Sequence, residues 1–502
     1  MTTNLRNGLI FVALLALLLA AQFAVASQRS FWEDEALTAR LSALTFSEIV
    51  EQRAQNNHPP LYWLLASVWG KTFGFDELGL RSFSILCLGV VLALLYKLAS
   101  LLFNARVAWM AGLLLVASPY VLTYGHNARY YALAAALSLL AVLAAYLYFK
   151  EHRLWTLVIY VVSAVGLLYT IYMGATVLVG INLWLLLQGL RRKVSPGHFV
   201  IWLGAQAVIV ASYLPWLANF AASAGRNLDP AFRLSDFPPA FALRLGYLGF
   251  AYSVGEFFSP LHPLVWLGIL VTLLLLLSAL RRLDHPTGLL VSVLAVVVLG
   301  SILVSIVSVF PQSAWQNLSN RNFFGYPFFV LLLAVGLDRL RSRQAQILLA
   351  LLLVVYLAGS FNVYTGRQAV KPLLIVPWVQ VMEKIQAESQ PEAVVFCSQF
   401  DTVCPYYVNR YGLKRVALSG WEQALEVPPP EVWWLQNNIG GYNYQRDQEQ
   451  AAFQALQDTY QKVVQYAYGA QDESIRWIKS RWLGQDDYPY RLNLYQFTQP
   501  LR

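Results

Sequence analysis

Charge is scarce in this sequence: Asp, Glu, Lys and Arg make up 13% of its 502 residues, against 58% hydrophobic residues and a mean hydropathy of +0.50. A soluble globular domain carries about 25% charged residues, so the shortage excludes one as the whole protein. The chain is built for lipid. Cysteine is almost as rare, with three residues. Cys87 falls in an apolar run and reads as a small core filler, while Cys397 and Cys404 lie in a later polar region where a disulfide is open to them. A Gly-rich phosphate loop of either common kind is missing from that later region. Ionisable groups are also missing from the middle of the apolar runs, where Arg81, Lys97 and Asp338 occur only near ends. Proton- and ion-coupled transporters keep such groups near the midplane, so no relay of that sort is expected.

Long apolar runs are what the sequence has instead. Spans of about 17 to 25 residues cross a hydrocarbon core. They fall near 8–27, 80–103, 107–122, 130–149, 154–171, 173–190, 199–219, 262–280, 287–309, 325–339 and 344–361, about eleven in all. The net charge of +9 is spread as short basic clusters between these runs. No stripe of the kind that binds nucleic acid is present, and none is expected as a partner. With Arg6 cytoplasmic, Lys97 and Arg106, Lys150 and Arg153, Arg191 to Lys193, Arg281 and Arg282, and Arg339 to Arg343 all fall inside. The same register puts 28–79, 123–129, 220–261, 310–324 and the C-terminal region on the non-cytoplasmic side of a cell (inner) membrane.

Two further apolar segments, 59–73 and 240–258, would invert this pattern if each crossed once. Interfacial or re-entrant helices are therefore expected there, although 240–258 could also hide a missed pair of spans. The N-terminal run also has the form of a signal peptide, with Ala24-Val25-Ala26 as a cleavage-like site, but its apolar core is long enough for an uncleaved helix. From residue 363 the composition turns polar. Short β-rich runs at 393–397, 432–435, 462–466 and 492–497, with a helical pattern at 447–459, predict a soluble α/β domain over 363–502.

The chemistry is expected in the first outer loop, 28–79. Phe31-Trp32-Glu33-Asp34-Glu35 supplies a compact acidic triplet. Asn56-Asn57-His58-Pro59-Pro60-Leu61-Tyr62-Trp63 starts a helix with Pro, and Asn57 is a reasonable N-cap. A carboxylate base and an anion-binding helix end would then share one loop. Each piece alone also reads as a solvated acidic turn or an ordinary interfacial helix. More cations and aromatics collect on the same expected face: Arg81, Tyr124 to Tyr131 with His126, Asn127, Arg129 and Tyr130, and Asn320-Arg321-Asn322. Singly, each cation reads as a headgroup anchor; together they suit a charged group carried on a lipid.

The order of Trp32-Glu33-Asp34-Glu35, His58-Pro59-Pro60-Leu61-Tyr62, Glu77-Leu78 with Arg81, Ser118-Pro119 through Ala128-Arg129-Tyr130-Tyr131, and Arg321 before a Pro-bearing span resembles the GT-C membrane glycosyltransferases. Within them it resembles the family 39 branch, which includes protein O-mannosyltransferase-like and lipid A aminoarabinose transferase-like enzymes. The likeness covers about residues 8–362 and is clearest over 31–131. It implies a polytopic α-helical membrane protein of GT-C type, residues 1–362, followed by the soluble domain. It also implies transfer of a hexosyl or pentosyl group from a polyprenyl-phosphate donor to a lipid, glycan or protein acceptor outside the cytoplasm.

Residue by residue, the resemblance makes Asp34 the catalytic aspartate with Glu35 beside it. It puts His58, Arg129, Arg321 and Arg81 at the donor phosphate, His58 at a site where relatives can carry Lys. Tyr62, His126, Asn127 and Tyr130 would line the cavity or meet the acceptor. Relatives commonly carry Glu where this chain has Asn127. Asp34 and Glu35 could hold Mg²⁺ or Mn²⁺, although two adjacent carboxylates specify neither. Trp433, Trp434, Tyr442 and Tyr444 could stack on sugars or pack a core, and the Asn437 to Gly441 turn could form a mobile lip. A lipid or polysaccharide transporter and a non-catalytic polymer-assembly protein are the competing classes.

Overall fold

The computed structural model describes residues 3–56, 58–190, 196–227, 237–307, 317–397, 402–437, 446–468, 473–483 and 492–500. They form two compact units. One comprises Met1–Ser27 with Ser42–Thr365, the other Gln28–Leu41 with Gly366–Arg502. The acidic triplet therefore belongs to the same unit as the C-terminal region, whereas His58 and the outer arginines belong to the helical one.

In the helical unit, 8 helices among the described residues are long and apolar enough to cross a membrane. Three shorter apolar helices, Ala105–Ala117, Leu154–Leu168 and Phe323–Asp338, coincide with the other expected crossings. Leu61–Phe73 and Phe237–Val254 are helices outside both sets. Helix Tyr326–Asp338 is buried from Tyr326 through Leu337, and it packs on Pro263–Leu280, Ala105–Ala117 and His285–Val307. Small residues allow these approaches, as is usual where helices pack in lipid. A Cβ on Gly336 would strike the Leu275 carbonyl, and one on Gly180 would sit 2.6 Å from the Val293 Cα. Leu154, Trp155, Val158 and Val162 stay exposed along one helix, the pattern of a lipid-facing surface.

The other unit is built on a five-stranded sheet: β1 (Val394–Cys397), β2 (Lys414–Ala417), β3 (Glu431–Asn437), β4 (Tyr460–Tyr468) and β5 (Leu492–Pro500), in the order β2-β1-β3-β5-β4. β1 is parallel to β2 and β3, while β5 is antiparallel to β3 and β4. Alternation sends Val394, Phe396, Val432, Trp434 and Phe497 into one core, closed by Ala452 and Leu456 of helix Arg446–Thr459. β2 escapes a sequence reading because its Lys-Arg-Val-Ala sits at an edge with little burial, where charge discourages further pairing. Cys397 and Cys404 form a disulfide between β1 and helix Val403–Arg410.

Candidate active site

Glu33, Asp34 and Glu35 open helix Glu33–Ser42, where three carboxylates in the first turn complement the positive end of the helix dipole. They are not equivalent. Glu35 is fully buried, and its Oε2 accepts the Trp32 amide at 3.4 Å, the return half of a capping box. Asp34 is only partly buried, with its carbonyl accepting the Thr38 hydroxyl at 3.0 Å. Glu35 thus closes the helix end, while Asp34 is the more exposed of the pair. Among the described residues no group of three His, Cys, Asp or Glu side chains converges. No step is drawn through a metal.

A separate basic cluster is assembled in the helical unit. Helix Phe46–Ala54 starts on a full capping box, Thr45 with Glu48. Its Ile49 and Arg53, one turn apart, are both buried. The Arg53 Cζ lies 4.6 Å from the centre of the Trp63 ring, and the Arg129 Cζ lies 5.5 Å from it. His58 joins the same group, its ring 5.8 Å from Trp63 and 5.2 Å from Tyr130. Burial, reinforced by the charges of Arg129, Arg321 and Arg53, holds the His58 imidazole well below its usual 6.5. At neutral pH His58 is therefore an uncharged hydrogen-bonding group among guanidinium groups.

Behind this cluster lies a buried polar frame. Tyr62 contacts Ser84 Oγ at 3.2 Å, and Ser84 donates to the Arg129 carbonyl at 3.5 Å. His126 Nδ1 pairs with Gln22 Oε1 at 3.2 Å. The turn before Arg321 is fixed by Tyr120, which donates to the Ser319 carbonyl at 2.6 Å, and by Asn320, which donates to the Tyr131 hydroxyl at 2.8 Å. Glu256, 1% exposed, accepts from Ser319 Oγ at 2.8 Å and from the hydroxyls of Tyr124 and Tyr247. Asn127, where a Glu was expected from the resemblance, is 3% exposed, and its Nδ2 meets no hydrogen-bond acceptor among the described residues. Trp63 Nε1 is likewise buried without a partner there.

Several further contacts bear on the residues singled out in the sequence. The N-cap of helix Leu61–Phe73 is Pro60, with no side-chain cap; Asn57 lies outside the described residues. The first amide after Pro60, that of Leu61, donates to the Tyr169 carbonyl at 3.0 Å and is not available to a phosphate. Arg81 is buried and donates to the Ala26 carbonyl at 2.9 Å, a tie onto the end of helix Thr3–Ala26. Trp433 and Trp434 are 0% and 4% exposed in the sheet, where they cannot stack on a sugar. Tyr442, Tyr444 and residues 438–441 of the expected lip lie outside the described residues. Arg53, Trp63 and the accepting role of Glu256 were missed. The i, i+4 pairing of Arg53 with Ile49 was a legible signal for the first; nothing local marks the other two.

The chain thus combines a helical unit bearing a cation-rich, aromatic-lined cluster with a unit built on a small mixed sheet. Residues 57–218 match the family model described as dolichyl-phosphate-mannose-protein mannosyltransferase. In three dimensions the chain is similar to ArnT from Cupriavidus metallidurans bound to undecaprenyl phosphate, with a TM-score of 0.56 at 15% identity, covering 96% of this chain and 97% of that one. The apo state of the same ArnT gives 0.58 at 13% identity over the same shares. No curated protein matches the chain in sequence. The chain thus shares the ArnT fold over nearly its whole length, and about a third of it matches the mannosyltransferase family model.

Proposed function

We propose that this chain transfers a hexosyl or pentosyl group from a polyprenyl-phosphate carrier to a lipid, glycan or protein acceptor on the non-cytoplasmic face of a cell membrane. The single observation that supports it best is the group of Arg53, Arg129 and Arg321 around a neutral His58 and Trp63. Guanidinium groups match phosphate oxygens in geometry and charge, and burial strengthens that match. The unpartnered donors of Trp63 and Asn127 suit an oxygen-rich ligand. Nucleotide sugars are absent outside a cytoplasmic membrane, so a donor there must bring its leaving group through the bilayer.

In the reaction an acceptor hydroxyl or amine attacks the anomeric carbon while the bond from that carbon to the phosphate oxygen breaks. The bonding electrons pass to the phosphate, whose growing charge the arginines and His58 stabilise. Asp34 takes the proton from the acceptor, and attack from the face opposite the leaving group inverts the anomeric carbon. The test incubates purified protein with radiolabelled polyprenyl-phosphate sugars and membrane extract, comparing wild type with Asp34→Asn. Transfer by the wild type alone supports the reading. Equal transfer by both removes Asp34 as base, and no transfer from any donor favours a transporter or assembly protein.

A further inference from the structure

The segment carrying Asp34 leaves the helical unit after Ser27 and rejoins it at Ser42. Between those points it is held, through two backbone groups and one side chain, by the sheet-containing unit. The buried Phe31 amide donates to the Tyr407 hydroxyl at 2.6 Å. Ser30 Oγ accepts the Val379 amide at 3.0 Å, satisfying one of the open N–H groups at the start of helix Trp378–Glu388. Thr402 stands at the N-cap of helix Val403–Arg410, yet its hydroxyl donates to the Glu33 carbonyl at 3.2 Å. Tyr407 is in turn stacked on Trp378, rings 6.3 Å apart and 7° from parallel, and its helix is tied to β1 through Cys404.

Short-range capping at Trp32 and Glu35 shapes the first turn of helix Glu33–Ser42, but it cannot orient that turn. Hydrogen bonds on both sides of Trp32, at Ser30, Phe31 and Glu33, can. We infer that the C-terminal unit is a clamp for the catalytic carboxylate, with Tyr407 and Thr402 as positioning residues for Asp34. This rests on the transferase reading. It assigns the C-terminal unit a part in the rate of the chemical step, distinct from any choice of acceptor. A well-held base is worth much more than a mobile one, because near-attack geometry is lost with displacements of about 1 Å.

The test uses full-length protein in lipid nanodiscs. Tyr407→Phe and Thr402→Val each remove a single hydroxyl, and Thr402→Ser restores one. Amide hydrogen exchange over residues 30–36 is expected to rise about 2- to 10-fold in the first two variants, with the helices of the other unit unchanged and Thr402→Ser close to wild type. The same two variants should lower kcat roughly 10- to 100-fold with the donor KM held constant. Unchanged exchange over 30–36 in both Tyr407→Phe and Thr402→Val overturns the clamp, and so does faster exchange with an unaltered kcat. The exchange arm needs neither donor nor acceptor. If Asp34→Asn still transfers sugar, the underlying reading has failed instead, and the kinetic arm falls with it.

Discussion

Residues 28–41 and 42–63 are adjacent in the chain and each supplies part of the proposed chemistry, yet they draw their conformation from different sources. The acidic piece is shaped by its own capping contact at Glu35 and anchored by the Phe31 amide and Glu33 carbonyl on Tyr407 and Thr402, and by Ser30 Oγ on the Val379 amide. The basic piece is anchored by side chains, with Arg53 over Trp63 and His58 between Trp63 and Tyr130. Hydrogen bonds to backbone fix where a segment runs. Cation–aromatic stacking fixes where a charge sits. A base needs the former kind of control and a phosphate site the latter.

Several variants would break or sharpen this contrast. Asp34→Asn should lower transfer about 10²- to 10⁴-fold while donor-lipid binding survives, measured side by side in one preparation. Loss of binding as well would erase the separation of roles. Trp434→Ala, which empties the sheet core, should cost the C-terminal unit about 3 to 5 kcal/mol in denaturant unfolding. Arg129→Ala should weaken polyprenyl-phosphate binding roughly 10- to 100-fold without faster exchange over 30–36, because that segment belongs to the other unit. Arg53→Ala should weaken it less, about 2- to 30-fold, as expected for loss of a cation stacked on an indole.

The smallest effect concerns pH. His58 is depressed in the folded protein, so below about pH 6.5 the unfolded chain takes up a proton that the folded chain refuses. Its contribution to stability is therefore complete above that pH and declines as pH falls. Replacing His58 with Asn should flatten the acid side of the thermal unfolding profile. A bound phosphate should draw a proton onto His58, seen as buffer-dependent heat in calorimetric titration; heat independent of the buffer would remove His58 from the phosphate.

The apolar spans were legible because each depends only on about twenty consecutive residues and a solvent that forbids unpaired backbone. Trp32 to Glu35 and His58 to Tyr62 were legible as candidate chemistry for a similar reason: charge and proline stand out locally. Arg81 was legible as a cation but not as the tie to Ala26, since that contact joins residues 55 apart. Glu256 likewise looked like a polar end of an apolar run. Its partners Tyr124 and Ser319 come from distant segments, and no periodicity connects them.

By itself the sequence determined the solvent, the run of helices, the polar C-terminal region and the candidate residues, because burial cost and hydrophobic period act over one or two turns of chain. Only tertiary structure decided that Glu35 closes a helix while Asp34 stays accessible, that Arg53 and Trp63 join His58, and that the acidic segment is held by Tyr407 and Thr402. Those outcomes depend on hydrogen bonds and ring contacts between residues up to 376 positions apart. The closure of such distances is set by packing of the whole chain and leaves no mark in any local window.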